Sequence, residues 1–134
     1  MRFNIKTAIL CEDVRQETGN KHSLMGVFSG DIVIYGKEPT ELFVSFYLEM
    51  TGVPIGPKNL LIKISGPGDG SAKITAAAEV KSEGTMVLAG PKMALVFEKS
   101  GTFELAVGET EDDLEVVISK TVTFADPTSL PQPS

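Results

Sequence analysis

The sequence predicts an all-β fold, a single β-sandwich of about eight strands, and three observations carry that expectation. Apolar and polar residues alternate with period two from end to end. No window of helical length spaces its apolar residues three and four apart. Turn residues punctuate the apolar runs at short intervals.

The first run alternates Phe3, Ile5, Ile9 and Cys11 on one face with Asn4 and Lys6 opposite. The clearest run sets Leu42, Val44, Phe46, Leu48 and Met50 against Ser45, Tyr47 and Glu49. Further runs cover 60–65, 72–81, 85–88 continuing through 93–98, 102–107 and 114–124. Between them lie Gly36-Lys37-Glu38-Pro39, Val53-Pro54-Ile55-Gly56-Pro57, Gly66-Pro67-Gly68-Asp69-Gly70, Ser82-Glu83-Gly84, Gly90-Pro91 and Ser100-Gly101. A terminal hairpin is expected to set Phe103, Leu105 and Val107 against Leu114, Val116 and Ile118. Lys120 then falls on the inward side, which requires a bulge, a sheet edge or a snorkelling stem. The expected arrangement is a Greek-key sandwich of immunoglobulin-like character over 1–125, followed by a Pro- and Ser-rich disordered tail over 126–134.

The stretch 11–34 places charges within a strand pair. Thr18-Gly19-Asn20-Lys21 suits a two-residue type II′ turn, so the hairpin is centred between Gly19 and Asn20. That register sets Cys11 opposite Phe28, Asp13 opposite Gly26, Arg15 opposite Leu24 and Glu17 opposite His22. Asp13, Arg15 and Glu17 then share a face with core residues, where an unpaired ion costs several kcal/mol, so Asp13 and Arg15 are expected to form a mostly buried structural pair.

The formal net charge is −6 over 134 residues, and the twelve basic residues form no stripe. Nucleic acid and an anionic membrane surface are therefore poor partners. A lone cysteine, Cys11, allows no intrachain disulfide and reads as a small buried hydrophobe in a reducing compartment. The alternating N-terminal residues lack the apolar run of a signal peptide, and no span is long enough to cross a bilayer, so a cytoplasmic location is expected.

With one His and one Cys, the chain has too few ligands for a structural zinc site, and no cofactor is expected. His22 reads as a surface residue beside the turn, and a Ser or Cys nucleophile would have to rely on an unusual base such as Lys. The loop 65–71 lacks the Gly-Lys-Ser/Thr of a phosphate loop and reads as a hairpin turn. Glu109, Glu111, Asp112 and Asp113 make an acidic turn without the order of a calcium loop, a weak cation candidate that reads first as a solvated turn. Glu12, Asp13, Arg15 and Glu17 are the one charged constellation with functional interest: structural first, a ligand or partner site second, catalytic last.

The block CEDVRQETGNKHSLMGVFSGDI resembles an uncharacterised family of short bacterial all-β proteins. Its members open with a strand ending Cys-Asp/Glu-Asp-x-Arg and continue through Gly-x-Lys-x-Ser-Leu-x-Gly-Val. Cys11, Glu12, Asp13, Arg15, Gly19, Lys21, Ser23, Leu24, Gly26 and Val27 carry that pattern here. The resemblance covers roughly the first 35 residues, implies a bacterial or phage-related source and a small β-sandwich, and brings no activity with it. The functional expectation is a non-enzymatic binding or assembly module, meeting a protein partner or a second copy of itself. The alternative is a small-molecule, carbohydrate or cation binder, with Tyr35 and Tyr47 as the aromatic candidates. An enzyme built on Asp13, Arg15 and Glu17 comes last.

Overall fold

The computed structural model describes residues 4–68, 71–80 and 84–129. Among them are ten strands, two 3-10 turns and no α-helix. The strands are β1 (Asn4–Glu17), β2 (Lys21–Val27), β3 (Ile32–Tyr35), β4 (Thr40–Val53), β5 (Gly56–Ser65), β6 (Ser71–Val80), β7 (Gly84–Ala89), β8 (Met93–Phe97), β9 (Gly101–Gly108) and β10 (Glu115–Ala125). Two apolar runs divide where the sequence reads as one. The run after the first turn breaks into β2 and β3, and the run 85–98 breaks into β7 and β8 around Gly90-Pro91.

Two five-stranded sheets result. One runs β2-β1-β4-β7, with β8 continuing beside β4 beyond β7; the other runs β3-β10-β9-β5-β6. Both contribute to one core. Leu10, Val44, Phe46, Leu48 and Met50 from the first sheet meet Ile32, Ile34, Leu60, Ile62, Ile64, Phe103, Leu105, Val107 and Val122 from the second. Burial of such side chains removes apolar surface from water at about 25 cal/mol per Å2, and it is the main force holding the sheets together. The Phe97 and Phe103 rings close one end at 6.0 Å between centroids.

Bulges set which residues reach that core. In β1 the register against β4 shifts between Ile5 and Thr7. Ile5, Ala8 and Leu10 therefore point inward, opposite Met50, Leu48 and Phe46, while Ile9 and Cys11 point outward, opposite Tyr47 and Ser45. The single face expected for Ile5, Ile9 and Cys11 is thus split by the extra residue; Phe3 lies outside the described residues. A second shift, between Val116 and Ile118, leaves Ile118 inward and turns Val116 out, 53% exposed. Lys120 stands opposite Phe103, and its stem snorkels so that Nζ donates to the Gly30 carbonyl at 2.7 Å. Strand β10 ends at Ala125; a 3-10 turn (Pro127–Ser129) follows, its Thr128 N–H donating to Asp126 Oδ1 at 2.9 Å, and 130–134 lie outside the described residues.

Candidate functional site

The β1–β2 hairpin closes through three residues, Thr18, Gly19 and Asn20, with Glu17 opposite Lys21. Gly19 (φ +86) and Asn20 (φ +59) both adopt left-handed backbone, which Gly accepts without penalty and Asn better than most residues. The loop is one residue longer than a type II′ turn, so every partner moves by one. Cys11 faces Val27, Asp13 faces Met25, Arg15 faces Ser23, and His22 faces Gln16 rather than Glu17.

That shift, together with the bulge in β1 that turns Cys11 and the residues after it outward, overturns the expected burial of the Asp13–Arg15 pair. Both side chains look away from the core; Arg15 Nε lies 3.9 Å from Asp13 Oδ2, with the side chains 63% and 26% exposed. Glu12 falls on the opposite parity, its aliphatic carbons lying over Gly26, where a Cβ would meet Glu12 Cγ at 2.8 Å. Glu17 is exposed at the tip opposite Lys21. The fold therefore brings Asp13 and Arg15 together loosely and leaves Glu12 and Glu17 apart from them.

The distal hairpin lies instead across the outward face of its own sheet. The His22 ring meets the Tyr47 ring at 5.5 Å between centroids, tilted 58°. Gln16, Asn20 and His22 form one wall of an open cleft of about 570 Å3, and Thr85, Val87 and Ala89 form another. Tyr47 donates its hydroxyl to Glu49 Oε1 at 3.1 Å, and Lys6 Nζ stands 3.9 Å from Glu49 Oε2. Burial, then the neighbouring Glu49 carboxylate, push the Tyr47 phenol above its ordinary pKa. Sequence reasoning missed this contact, although Phe43 and Tyr47 on the polar parity of β4 signal an outward face that is not wholly solvated.

Cross-strand parity assigns a set of exposed apolar residues to the same outward face. Val27 and Met25 are in register with Cys11 and Asp13, Val87 with Glu49, and Val96 with Glu41. With Phe43, they are 40–53% exposed. Lys92 Nζ sits 4.5 Å from the centre of the Phe43 ring, a cation–π contact at the margin. Cys11 is fully buried within this layer, its Sγ 3.4 Å from the Asp13 carbonyl. Burial raises its thiol pKa above the usual value; the Asp13 backbone, apart from its carbonyl, partly opposes that rise, and the charges of Asp13 and Glu12 add to it.

The acidic turn is organised by its own chain. Thr110 caps a 3-10 turn (Glu111–Asp113), and Asp113 Oδ1 accepts from the Glu109 and Thr110 N–H groups, each at 2.8 Å. These hydrogen bonds hold the Asp113 carboxyl below the usual carboxylate range. Glu111 pairs with Lys73 of β6, which lowers its pKa too. Among the described residues no three His, Cys, Asp or Glu side chains gather as a metal site, and no helix is long and apolar enough to cross a membrane. Tyr35 and Tyr47 stand on different sheets, so they form no shared platform. The tip of the loop 65–71, Asp69 and Gly70, lies outside the described residues.

Comparison with protein-family models finds no match to this chain, and comparison with curated proteins finds none either.

Proposed function

We propose that the chain is a non-enzymatic binding or assembly module that meets a protein partner through the outward face of the β2-β1-β4-β7 sheet. One observation carries this reading. Met25, Val27, Phe43, Val87 and Val96, five of the nine large exposed hydrophobics among the described residues, fall on that single face. Scattered exposed apolar residues need no explanation, whereas a gathered set rimmed by charge marks an interaction surface. The net charge of −6 disfavours anionic polymers and lipids, which leaves a protein surface as the occupant.

The reading is non-enzymatic because Arg15 is exposed and only loosely paired with a partly buried Asp13, while Glu12 falls on the opposite parity, so the charged set does not converge on one point. It takes the two sheets as a Greek-key, immunoglobulin-like β-sandwich, supported by the shared core and by the β4–β5 and β8–β9 connections that pass between sheets. The resemblance of the hairpin to a bacterial family supports a bacterial or phage-related source, and the lone cysteine supports a reducing, cytoplasmic setting. A second reading, a small-molecule binder, is favoured by the cleft between His22 and Val87.

Affinity capture with the parent chain and with a Phe43→Asp, Val96→Asp variant tests the proposal. A protein held by the parent and lost by the folded variant supports it; identical captured sets overturn it.

A further inference from the structure

Among the described residues each sheet ends in strands that pair on one side only, and the four edges differ in how they are protected. Strand β3 has four residues. Strand β2 is tied into the hairpin that curls over Tyr47. The β7–β8 edge is interrupted at Gly90-Pro91, where its register against β4 shifts. Strand β6 is different. It runs ten residues, SAKITAAAEV, pairs with β5 in one unbroken register over its whole length, and contains neither Gly nor Pro. Among the described edges it is the long regular one, the kind that templates another strand.

Within the protomer, among the described residues, Lys73 has an ion-pair partner only off the end of the ladder, in Glu111, and neither Lys73 nor Glu79 has an opposite charge across from it in β5; a two-fold axis supplies one to each. In the β5–β6 ladder Lys73 stands directly opposite Lys63, a like-charge pair that Glu111 relieves from one side, and Glu79 stands opposite Pro57. Both Lys73 and Glu79 are exposed. Self-pairing of β6 keeps inward residues facing inward only in alternate registers. Centring on Ala76 opposes Lys73 to Glu79 twice, once on each side of the axis, and keeps Ala72 opposite Val80 on the core side. Centring on Lys73 or on Glu79 instead places two like charges face to face. From edge regularity and charge complementarity, we propose that two copies of this chain pair antiparallel through β6 about Ala76, each Lys73 opposite Glu79 of the other copy. Such a contact is isologous, closes after two copies and joins the two β3-β10-β9-β5-β6 sheets into one of ten strands. Its small area makes the dimer weak and concentration-dependent. At its Glu79 end the edge borders the cleft that His22 and Val87 also line, but the proposal does not rest on the reading of the outward face.

Sedimentation equilibrium of the intact chain up to millimolar concentration tests it, with circular dichroism to confirm that each variant is folded. The parent should show a monomer–dimer equilibrium. Lys73→Glu and Glu79→Lys should each weaken it about tenfold, because two attractive pairs become repulsive. The two single variants, mixed, should form a heterodimer at least as tight as the parent, and the double reversal should restore the homodimer. A parent that stays monomeric overturns the proposal. So does a dimer indifferent to both reversals, or a loss that mixing does not rescue. Phe43→Asp separates the two surfaces: a dimer lost by that variant instead belongs to the outward face and overturns the β6 assignment.

Discussion

Ser45 Oγ donates a 2.8 Å hydrogen bond to the carbonyl of Gly90, joining the middle of β4 to the break between β7 and β8. Ser45 is fully buried although it sits on the outward parity of its strand. The Gly90 N–H returns a 2.8 Å bond to the Phe46 carbonyl, so both polar groups of Gly90 are held by adjacent residues of β4. A Cβ at Gly90 would overlap the Phe46 ring, with Cδ1 at 2.6 Å. Glycine is required here by close approach, and the register shift from β7 to β8 is pinned by two hydrogen bonds and a ring.

Gly90→Ala should therefore be costly, about 1–3 kcal/mol, because the added methyl forces Phe46 from its place in the core. Ser45→Ala should cost about 1 kcal/mol, the usual net value of one hydrogen bond. Urea denaturation gives both numbers; a Gly90→Ala variant as stable as the parent would show that the break is loosely packed.

Arg15→Ala should leave stability within about 0.5 kcal/mol of the parent, since a solvent-facing pair contributes little. A loss above about 2 kcal/mol, measured the same way, would mean that the pair is desolvated in solution.

How much of this was legible in the sequence depends on where the chain inserts one extra residue. The core strands β4, β5 and β9 follow their alternation without interruption through Val44–Met50, Leu60–Ile64 and Phe103–Val107, and their inward residues are those that period two selects. The outward placement of Cys11 was not legible, because the bulge near Lys6 has no Gly or Pro to announce it. The hairpin register was not legible either: Thr-Gly-Asn-Lys satisfies a two-residue loop as well as a three-residue one, and the choice exchanges every cross-strand partner. Both errors reach the candidate site directly. They decide that Asp13 and Arg15 face solvent rather than core.

Asp113 supplies a pH prediction with a definite sign. Its folded-state pKa is depressed by hydrogen bonds from the Thr110 and Glu109 backbone, so the unfolded chain takes up a proton first as the medium is acidified. The stabilisation is complete above the unfolded carboxylate pKa and is lost as pH falls through the folded value. Asp113→Asn should lower the melting temperature at pH 7 and converge on the parent in acid. A gap that stays constant down to pH 2 would contradict this. Because Asp113 is committed to the turn and Glu111 to Lys73, calorimetry with calcium should show no micromolar isotherm.

Cys11 should be inert to a thiol reagent in the folded protein and react fully after denaturation, since it is buried and its thiolate is disfavoured. The raised pKa contributes stability that is present below the unfolded thiol's pKa and lost as pH rises through the folded value. Native modification as fast as that of a free thiol would show that the hairpin opens readily at its base.

The His22 ring, on the distal hairpin, rests against the Tyr47 ring of β4, and this contact can be tested apart from any partner. Tyr47→Ala removes the ring on which His22 rests, so amide exchange over 16–24 should accelerate while the β4–β7 ladder keeps its protection. Tyr47→Phe keeps the ring and loses only the hydroxyl bond to Glu49, so the hairpin should stay protected. The same variant should remove the late phase of the ultraviolet tyrosine titration, because burial and Glu49 both hold the Tyr47 phenol protonated past its ordinary pKa. If Tyr47→Ala leaves exchange over 16–24 at the parental rate, this ring is not what holds the hairpin, and the cleft between His22 and Val87 has some other support.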